Sequence, residues 1–293
     1  MKKRLISYIQ LLKPRVMSLV IFTSFVGLTI SPIKTSLHEI LLIIFSISLG
    51  AGAAGALNMW YESDLDKKME RTKSRPLPMG YVSTLEAFSL GLTLSLISIT
   101  LLAVNINYLS AALLAFTIFF YAVIYTMILK NRTSQNIVIG GISGALPPVI
   151  GWVAVSGYVS IEPLVLFFII FIWTPPHSWA LAICYIDDYK KSSIPMLPAV
   201  VGVTKTCDYI LFYSIIMLPV AMLPYLLNFA GHLYGFVALL ASLVFVYKAR
   251  VLHKLSRTAN KIDKKAKDFF GFSIIYLFLL FSLLLADGLF FII

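Results

Sequence analysis

The chain has 293 residues, of which 59% are hydrophobic and 13% are charged, and its mean hydropathy is +0.91. Soluble domains carry about 25% charged residues, so this composition excludes an ordinary soluble protein and indicates a membrane protein. The formal net charge of +11 could suggest a nucleic-acid ligand, but in a membrane protein the basic residues must first be assigned to one side of the bilayer.

Apolar runs long enough to cross a bilayer recur along nearly the whole chain. A membrane-spanning helix needs about 20 predominantly apolar residues, and nine segments meet that requirement, at about 15–31, 39–57, 84–104, 108–129, 136–155, 163–183, 206–228, 233–250 and 270–290. We therefore predict an all-α, polytopic membrane protein with nine transmembrane helices in a single domain over residues 1–293. The basic start, MKKRLISYIQLLKPRV, has no small-residue cleavage site after its first apolar run, which favours a retained helix over a signal peptide.

The basic residues are distributed very unequally between the two sides of this topology. With nine spans, all lysines and arginines except Lys34 fall on the side of the N-terminus. This asymmetry predicts a cytoplasmic N-terminus and an external C-terminus. The positive charge is then explained by topology and by contact with anionic lipids, and no nucleic-acid role is expected. A bacterial plasma membrane is favoured, because the chain shows no Arg- and Ser-rich leader of the organelle-import kind.

Proline pairs interrupt the fifth and sixth spans, in the segments NIVIGGISGALPPVIGW and FIWTPPHSWALAIC. Proline frees backbone carbonyls that protein or water must satisfy at membrane depth. We therefore expect both spans to be broken. The breaks could be kinks in a tightly packed bundle whose glycines allow close approach, or they could shape a ligand chamber.

A polar loop at about 58–83 begins with NMWYESDLDKKMERTKSRPLP, which is dense in charge. If the second span continues as a helix past Asn58, then Asn58, Glu62 and Asp66 point to one side, and Asp64 points elsewhere. Such oxygen ligands suit Mg²⁺. The basic residues that follow could bind an anion, which favours a diphosphate held through Mg²⁺; they are Arg71, Lys73 and Arg75. The alternative is a solvated loop with surface salt bridges.

A second acidic cluster, CYIDDYKKSSIPMLP, begins the loop at about 184–205 on the same predicted side. Asp187 and Asp188 are candidates for a second set of Mg²⁺ ligands, since two such clusters would face one compartment. Alone, the cluster would be an ordinary interfacial segment with long side chains at the membrane surface. Lys130, after the fourth span, could add a phosphate contact, although topology explains it equally well.

His177 is the one histidine of four that lies inside a predicted span. An ionisable group within the bilayer is a functional hypothesis by default. The alternative is a neutral histidine hydrogen-bonded to a neighbouring helix. The sequence has no C-x-x-C-H motif to attach a permanent haem.

The pattern N-x-x-x-(D/E)-x-D-x-D-x-x-M-x-R-T-x-x-R-P, met from Asn58 to Pro76, resembles the UbiA superfamily of intramembrane prenyltransferases, and within it the protohaem IX farnesyltransferase branch. The segments LLKPRV, GAAGALNMWY, NIVIGGISGALPPVIGW, WTPPHSWALAI and DDYKKSSIPMLP are similar to that branch in the same order. The resemblance covers about residues 11–205. It implies a nine-helix bundle around a central cavity that two acidic loops cap.

The resemblance also implies roles for particular residues. Asn58, Glu62, Asp66 and Asp188 would be the catalytic Mg²⁺ ligands, Arg71, Lys73, Arg75 and Lys130 would bind the diphosphate, and His177 would face a porphyrin. Two departures stand out: Glu62 occupies a position where related sequences commonly have Asp, and Cys184 replaces the first acid of a D-x-x-x-D motif. The second departure puts a full second Mg²⁺ site in doubt and favours the haem branch over ubiquinone-type relatives.

The implied reaction joins a farnesyl group from farnesyl diphosphate to the vinyl group of haem B, with haem as substrate and Mg²⁺ as cofactor. Tyr121 and Tyr125 could stabilise an allylic cation, although aromatic residues there are often interfacial. The implied downstream partner is a haem A synthase or an oxidase assembly factor. Alternatives are a UbiA-type enzyme with an aromatic acceptor, such as a quinone precursor or chlorophyllide, and a transporter of an anionic metabolite, which would place charge near the bilayer midplane.

Overall fold

The computed structural model describes residues 2–258 and 262–291, and it confirms the all-α prediction. Its helices, in chain order, are α1 (Lys2–Leu11), α2 (Pro14–Thr29), α3 (Leu37–Tyr61), α4 (Ser63–Asp66), α5 (Thr84–Asn105), α6 (Tyr108–Phe119, continued as a π-helical segment over Phe120–Leu129), α7 (Asn136–Ala145), α8 (Pro147–Ser156), α9 (Ile161–Cys184), α10 (Ile186–Lys191), α11 (Leu197–Val201), α12 (Val203–Leu226), α13 (His232–Leu255) and α14 (Asp263–Phe291).

Within the described ranges, eight spans are long and apolar enough to cross a membrane. The α1–α2 pair, bent by 47°, makes a ninth when it is counted as one span. The predicted number of spans is therefore confirmed. The bend falls at Lys13, whose backbone φ of 53° lies in the left-handed region, and Pro14 begins the next helix at a position where its missing N–H costs nothing.

Local sequence signals determine where two of the long spans begin. Ser36 accepts a hydrogen bond from the Glu39 backbone N–H, and the Glu39 carboxylate accepts from the Ser36 N–H, which together form a capping box before α3. Ser83 and Glu86 repeat the arrangement before α5. These pairs satisfy N–H groups that the first turn of a helix leaves without partners.

The two proline pairs have different effects on the backbone. At Pro147–Pro148 the fifth span divides into α7 and α8, as predicted. The prediction of a broken sixth span is wrong, because α9 runs without interruption through Pro175 and Pro176. Both prolines of α9 are buried, and α9 packs against α7, α12 and α14, so neighbouring helices hold it in shape.

Two hydrophobic clusters form the core and meet at α2. One cluster joins α9, α12, α13 and α14, and the other joins α3, α5, α6 and α8. Val26 of α2 belongs to the first cluster and Leu28 to the second. A Cβ on Gly151 would lie 2.1 Å from the Ser24 carbonyl oxygen, so glycine is required for α8 to approach α2 this closely.

Candidate functional site

The site begins where α3 ends. Hydrogen bonds from the Glu62 N–H to the Asn58 carbonyl (3.0 Å) and from the Asp66 N–H to the Glu62 carbonyl (2.8 Å) continue the helical path through α4. Asn58, Glu62 and Asp66 are consequently on one side, with 2%, 4% and 2% of their surface exposed. Asp64 is exposed on the other side, where it pairs with Lys67. Burial concentrates three oxygen-bearing side chains on one face of the helix end.

Each of these three side chains meets a cation. The Lys13 ammonium donates to Asn58 Oδ1, and the Lys130 ammonium donates to Glu62 Oε1. Arg75 Nη1 bonds both carboxylate oxygens of Asp66, at 2.9 and 2.8 Å. The pairs formed by Lys130 and Arg75 are largely shielded from water, so their charges interact more strongly than those of exposed pairs. The site therefore combines oxygen ligands with cations that suit phosphate oxygens.

Asp188 attaches the second acidic loop to the first. It is 7% exposed, and its Oδ2 accepts the backbone N–H of Arg71 at 3.3 Å. A small hydrophobic cluster that includes Met69 and Met196 packs the two loops together. Asp187, by contrast, is exposed in a crevice that Glu70 also lines. The structure thus distinguishes two adjacent acids by burial, and Asp188, the one that the family resemblance names as a ligand, is the buried one.

Arg71 and Lys73 differ in their relation to the buried acids. The Arg71 guanidinium lies 5.8 Å from the centre of the Tyr185 ring, close to the second loop. Lys73 pairs with Glu70 at the surface and is not brought to the buried acids. Burial raises the pKa of the Tyr189 phenol, and the nearby Arg71 charge opposes this rise. The phenol of Tyr189 therefore remains a hydrogen-bond donor beside the site.

The π-helical segment of α6 supplies the wall opposite α3. Thr126 Oγ1 accepts from Asn58 Nδ2 at 3.0 Å and donates to the Tyr121 carbonyl at 2.8 Å. Bonds of the i→i+5 type, such as Lys130 N–H to Tyr125 O, bring residues four and five apart onto one face. The Tyr121 and Tyr125 rings stack with centroids 5.5 Å apart. This face thus presents stacked aromatic rings next to the cation that pairs with Glu62.

Gly140 and Lys13 position the two tyrosines. A Cβ on Gly140 would lie 2.3 Å from Tyr125 Cδ2, so only glycine lets that ring rest on α7. The Lys13 ammonium lies 5.9 Å from the centre of the Tyr121 ring. Stacked, electron-rich rings beside the Lys13 ammonium form a surface that favours positive charge.

His177 lies deeper, seven residues before the end of α9, which corresponds to about 10 Å at 1.5 Å per residue. Its ring is stacked between Trp173 and Phe270, with centroid distances of 4.1 and 4.5 Å. Its Nδ1 is 2.7 Å from the hydroxyl oxygen of Ser273 on α14. The histidine is therefore held rigidly beneath the acidic loops.

The chemistry of the donor set fits Mg²⁺, although rearrangement is required. Over residues 2–258 and 262–291, no three His, Cys, Asp or Glu side chains are arranged to hold a metal ion as they stand. Asn58, Glu62, Asp66 and Asp188 are nevertheless buried oxygen ligands at one end of the bundle, and oxygen ligands are those that Mg²⁺ prefers. Lys130 and Arg75 form ion pairs with the carboxylates of Glu62 and Asp66, so these pairs would have to open for the metal to bind the same oxygens.

Comparison with known proteins places this arrangement in a family. A model of the UbiA prenyltransferase family matches residues 20–275. The chain belongs to this family. The resemblance read from the sequence motifs is therefore confirmed.

Relatives with curated names support the same branch of the UbiA family. The chain is 51% identical to "Protoheme IX farnesyltransferase 2" of Mesorhizobium japonicum, over 96% of the chain and 89% of the relative. It is also 51% identical to a protoheme IX farnesyltransferase of Parvibaculum lavamentivorans, over 96% of the chain and 88% of the relative. The match thus extends well past the 11–205 region in which motifs were recognised.

Solved structures of UbiA-type proteins share the fold. A digeranylgeranylglyceryl phosphate synthase has a TM-score of 0.79 and 19% identity, with 98% of this chain and 99% of that chain covered. A UbiA homologue from Archaeoglobus fulgidus, bound to DMAPP and Mg²⁺, has a TM-score of 0.67 and 17% identity, with 95% and 99% covered. At these identities the likeness concerns the fold alone.

Three contributors to this UbiA site were missed by the sequence interpretation. Lys13 was assigned to topology, although its place beside Pro14 in LLKPRV was a usable signal. Thr126 and Ser273 carry no motif, and only packing brings them to Asn58 and His177. Their contacts span long sequence separations that periodicity does not encode.

Proposed function

We propose that this UbiA-family protein transfers the farnesyl group of farnesyl diphosphate to the vinyl group of haem B. Water adds in the same reaction, so the product is the hydroxyethylfarnesyl porphyrin haem O, and pyrophosphate leaves. The observation that carries the proposal is the buried face of Asn58, Glu62 and Asp66 with a cation on each side chain. The names of the relatives at about half identity support haem as the acceptor.

The cations would bind the diphosphate. Three cations already donate hydrogen bonds to buried side-chain oxygens, namely Lys13, Lys130 and Arg75. The oxygens of a diphosphate carry more negative charge and would bind these cations more strongly. The exposed guanidinium of Arg71 lies beside the second loop and could close over the phosphates. Lys73 would act only after leaving Glu70.

Mg²⁺ bound by Asn58, Glu62, Asp66 and Asp188 would supply neutralisation of the negative charge that grows on the departing pyrophosphate. Asp187, exposed in its crevice, is a weaker candidate ligand than Asp188. The protein's own contribution is to hold these oxygens, together with fixed cations, at the end of the bundle and away from bulk water. Interactions of charged groups are stronger in such a setting than in water.

The aromatic residues would receive the farnesyl carbon. Tyr121 and Tyr125 present stacked rings close to the cations, and an allylic cation is stabilised by the faces of aromatic rings. The apolar walls of the bundle would accommodate the isoprenoid tail. His177 lies about 10 Å from the Cys184 end of α9 by helical rise. It would face the porphyrin.

The same proposal includes location and partners. A cytoplasmic site in the bacterial inner membrane is supported by the distribution of basic residues, since all but Lys34 lie on the predicted N-terminal side. Farnesyl diphosphate is water-soluble at its diphosphate end, so a cytoplasmic opening gives it access. Haem O would pass to a haem A synthase or an oxidase assembly factor.

A direct assay tests the reaction. The protein, purified in detergent, is supplied with haem B, farnesyl diphosphate and Mg²⁺, and the products are examined by mass spectrometry. We expect a haem that has gained a farnesyl group on one vinyl carbon and a hydroxyl group on the other, with the second proton of water released along with pyrophosphate. Transfer of farnesyl to 4-hydroxybenzoate instead of haem would overturn the choice of acceptor while leaving a prenyltransferase.

A further inference from the structure

Ser273 of α14 makes three hydrogen bonds, of which two join α14 to α9 and one stays within α14. Its carbonyl accepts from Trp173 Nε1 at 2.8 Å, its hydroxyl oxygen is 2.7 Å from His177 Nδ1, and its hydroxyl donates to the Phe270 carbonyl at 2.6 Å. Ser273 itself is completely buried. A residue with this many fixed partners has one orientation for its hydroxyl group.

That orientation determines which nitrogen of His177 carries the proton. Two oxygen atoms 2.6 Å apart require a hydrogen between them, and a carbonyl has none, so the Ser273 hydroxyl proton points to Phe270. The hydroxyl oxygen can then only accept from His177. Nδ1 of His177 is therefore the protonated nitrogen, and Nε2 carries a lone pair.

The lone pair on Nε2 faces accessible space. Trp173 and Phe270 cover both faces of the ring, yet His177 is only half-buried, so its exposure is at the ring edge. In the part of the chain that the structure describes, Nε2 has no hydrogen-bond partner. It is not one of the fully buried side-chain atoms without a partner, so part of its surface is accessible. Nε2 is consequently available to a ligand.

The accessible space lies on the interior side of α9. Ile161, Leu164 and Phe168 form the exposed, lipid-facing stripe of this helix, with 55%, 39% and 47% of their surface exposed. His177 follows Phe168 by nine residues, which is two and a half turns at 3.6 residues per turn. It therefore points away from the lipid and into the bundle, beneath the acidic loops.

We propose that Ser273 is a positioning residue for the acceptor substrate, fixing the Nδ1–H tautomer of His177 so that Nε2 binds the iron of haem. This inference rests on haem as the acceptor in the proposed function. Neutral imidazole is a common axial ligand of haem iron. A hydrogen bond on the second ring nitrogen fixes the tautomer and the ring orientation and makes the ligating nitrogen more basic. The iron would thus anchor the porphyrin below the diphosphate-binding end.

The test compares haem complexes of purified variants. Ferric haem B is titrated into the wild-type protein, His177→Gly, Ser273→Ala and Ser214→Ala, and both the dissociation constant and the electron paramagnetic resonance spectrum are recorded. Ser214 is the matched control, because it is also completely buried and its hydroxyl donates to the Ile210 carbonyl of its own helix. Removal of an outer hydrogen bond to a metal ligand typically weakens metal binding about 10–100-fold.

We expect an axial nitrogen signal in the wild-type complex, its loss in His177→Gly and its return when imidazole is added. Ser273→Ala should weaken haem binding about 10–100-fold and broaden the nitrogen signal, whereas Ser214→Ala should match the wild type. The imidazole experiment tests ligation by His177 even if Ser273→Ala fails to fold.

Different results of these experiments overturn the role of His177 and the proposed reaction. A wild-type protein that farnesylates haem but gives the same ligation spectrum as His177→Gly would overturn the role of Nε2 and leave the reaction intact. Equal effects of Ser273→Ala and Ser214→Ala would overturn the positioning role of Ser273. A protein that neither binds nor farnesylates haem would overturn the proposed function and this inference with it.

Discussion

Replacement of Lys13 by methionine distinguishes a charge that binds substrate from a charge that only sets membrane topology. The Lys13 ammonium donates to Asn58 Oδ1 and lies 5.9 Å from the Tyr121 ring centre. Arg15, two residues later, is exposed and has the same expected role in topology. Arg15→Met is therefore a matched control that removes the same charge from the same segment.

The expected magnitude follows from the type of contact that is lost. A hydrogen bond to a charged group contributes about 1.5–3 kcal/mol, and about 1.4 kcal/mol corresponds to a tenfold change in a binding constant. If Lys13 binds the diphosphate, Lys13→Met should raise KM for farnesyl diphosphate about 10–100-fold. A further fall in kcat is expected if the contact strengthens as charge develops on the leaving group. Methionine is unbranched, like lysine, so the left-handed backbone at this position is tolerated similarly.

Steady-state kinetics with detergent-purified protein measures these effects. Transfer of a labelled farnesyl group to haem B is followed while farnesyl diphosphate is varied at saturating haem and Mg²⁺. Arg15→Met should retain wild-type KM and kcat. Kinetics of Lys13→Met that match those of Arg15→Met would refute the assignment of Lys13 to the diphosphate site, and a loss of both proteins from the membrane would show a topological role.

Three further predictions concern the acids, the aromatic wall and the metal. Asp66→Asn should lower kcat by at least about 100-fold, as expected for loss of a group that stabilises developing charge, while Asp64→Asn should retain activity; near-normal turnover of Asp66→Asn would contradict the role of its carboxylate. Gly140→Ala should displace Tyr125, lower kcat and reduce the free energy of unfolding by about 1–3 kcal/mol, since the alanine Cβ would lie 2.3 Å from the Tyr125 ring. Gly144→Ala, which has no neighbour within 4 Å, is the matched control in the same helix, and equal melting curves would argue against the clash. Treatment with EDTA should abolish farnesyl transfer and added Mg²⁺ should restore it; full activity in EDTA would exclude the divalent metal.

Several features of the candidate site were predictable because they depend on short-range spacing. Asn58, Glu62 and Asp66 recur every four residues, so a continuing helical path places them together, and the structure shows this path through α4. The outcome was less predictable for Asp187 and Asp188, because adjacent residues differ in exposure only through the packing of α10 on the first loop. Lys73 was grouped with Arg75 by proximity in sequence, yet it pairs with Glu70 at the surface.

The amino-acid sequence by itself determined the membrane class, the number of spans, the family and the first acidic face. Hydropathy, charge asymmetry and helical periodicity are local properties of the chain, so they can be read without knowing which helices pack against one another. Packing alone decided which cation meets which oxygen and how the histidine is held. Lys13 and Asn58 are 45 residues apart, Glu62 and Lys130 are 68 apart, and His177 and Ser273 are 96 apart. Contacts over such separations arise when helices far apart in the chain pack side by side, and helix packing is a property of the whole bundle.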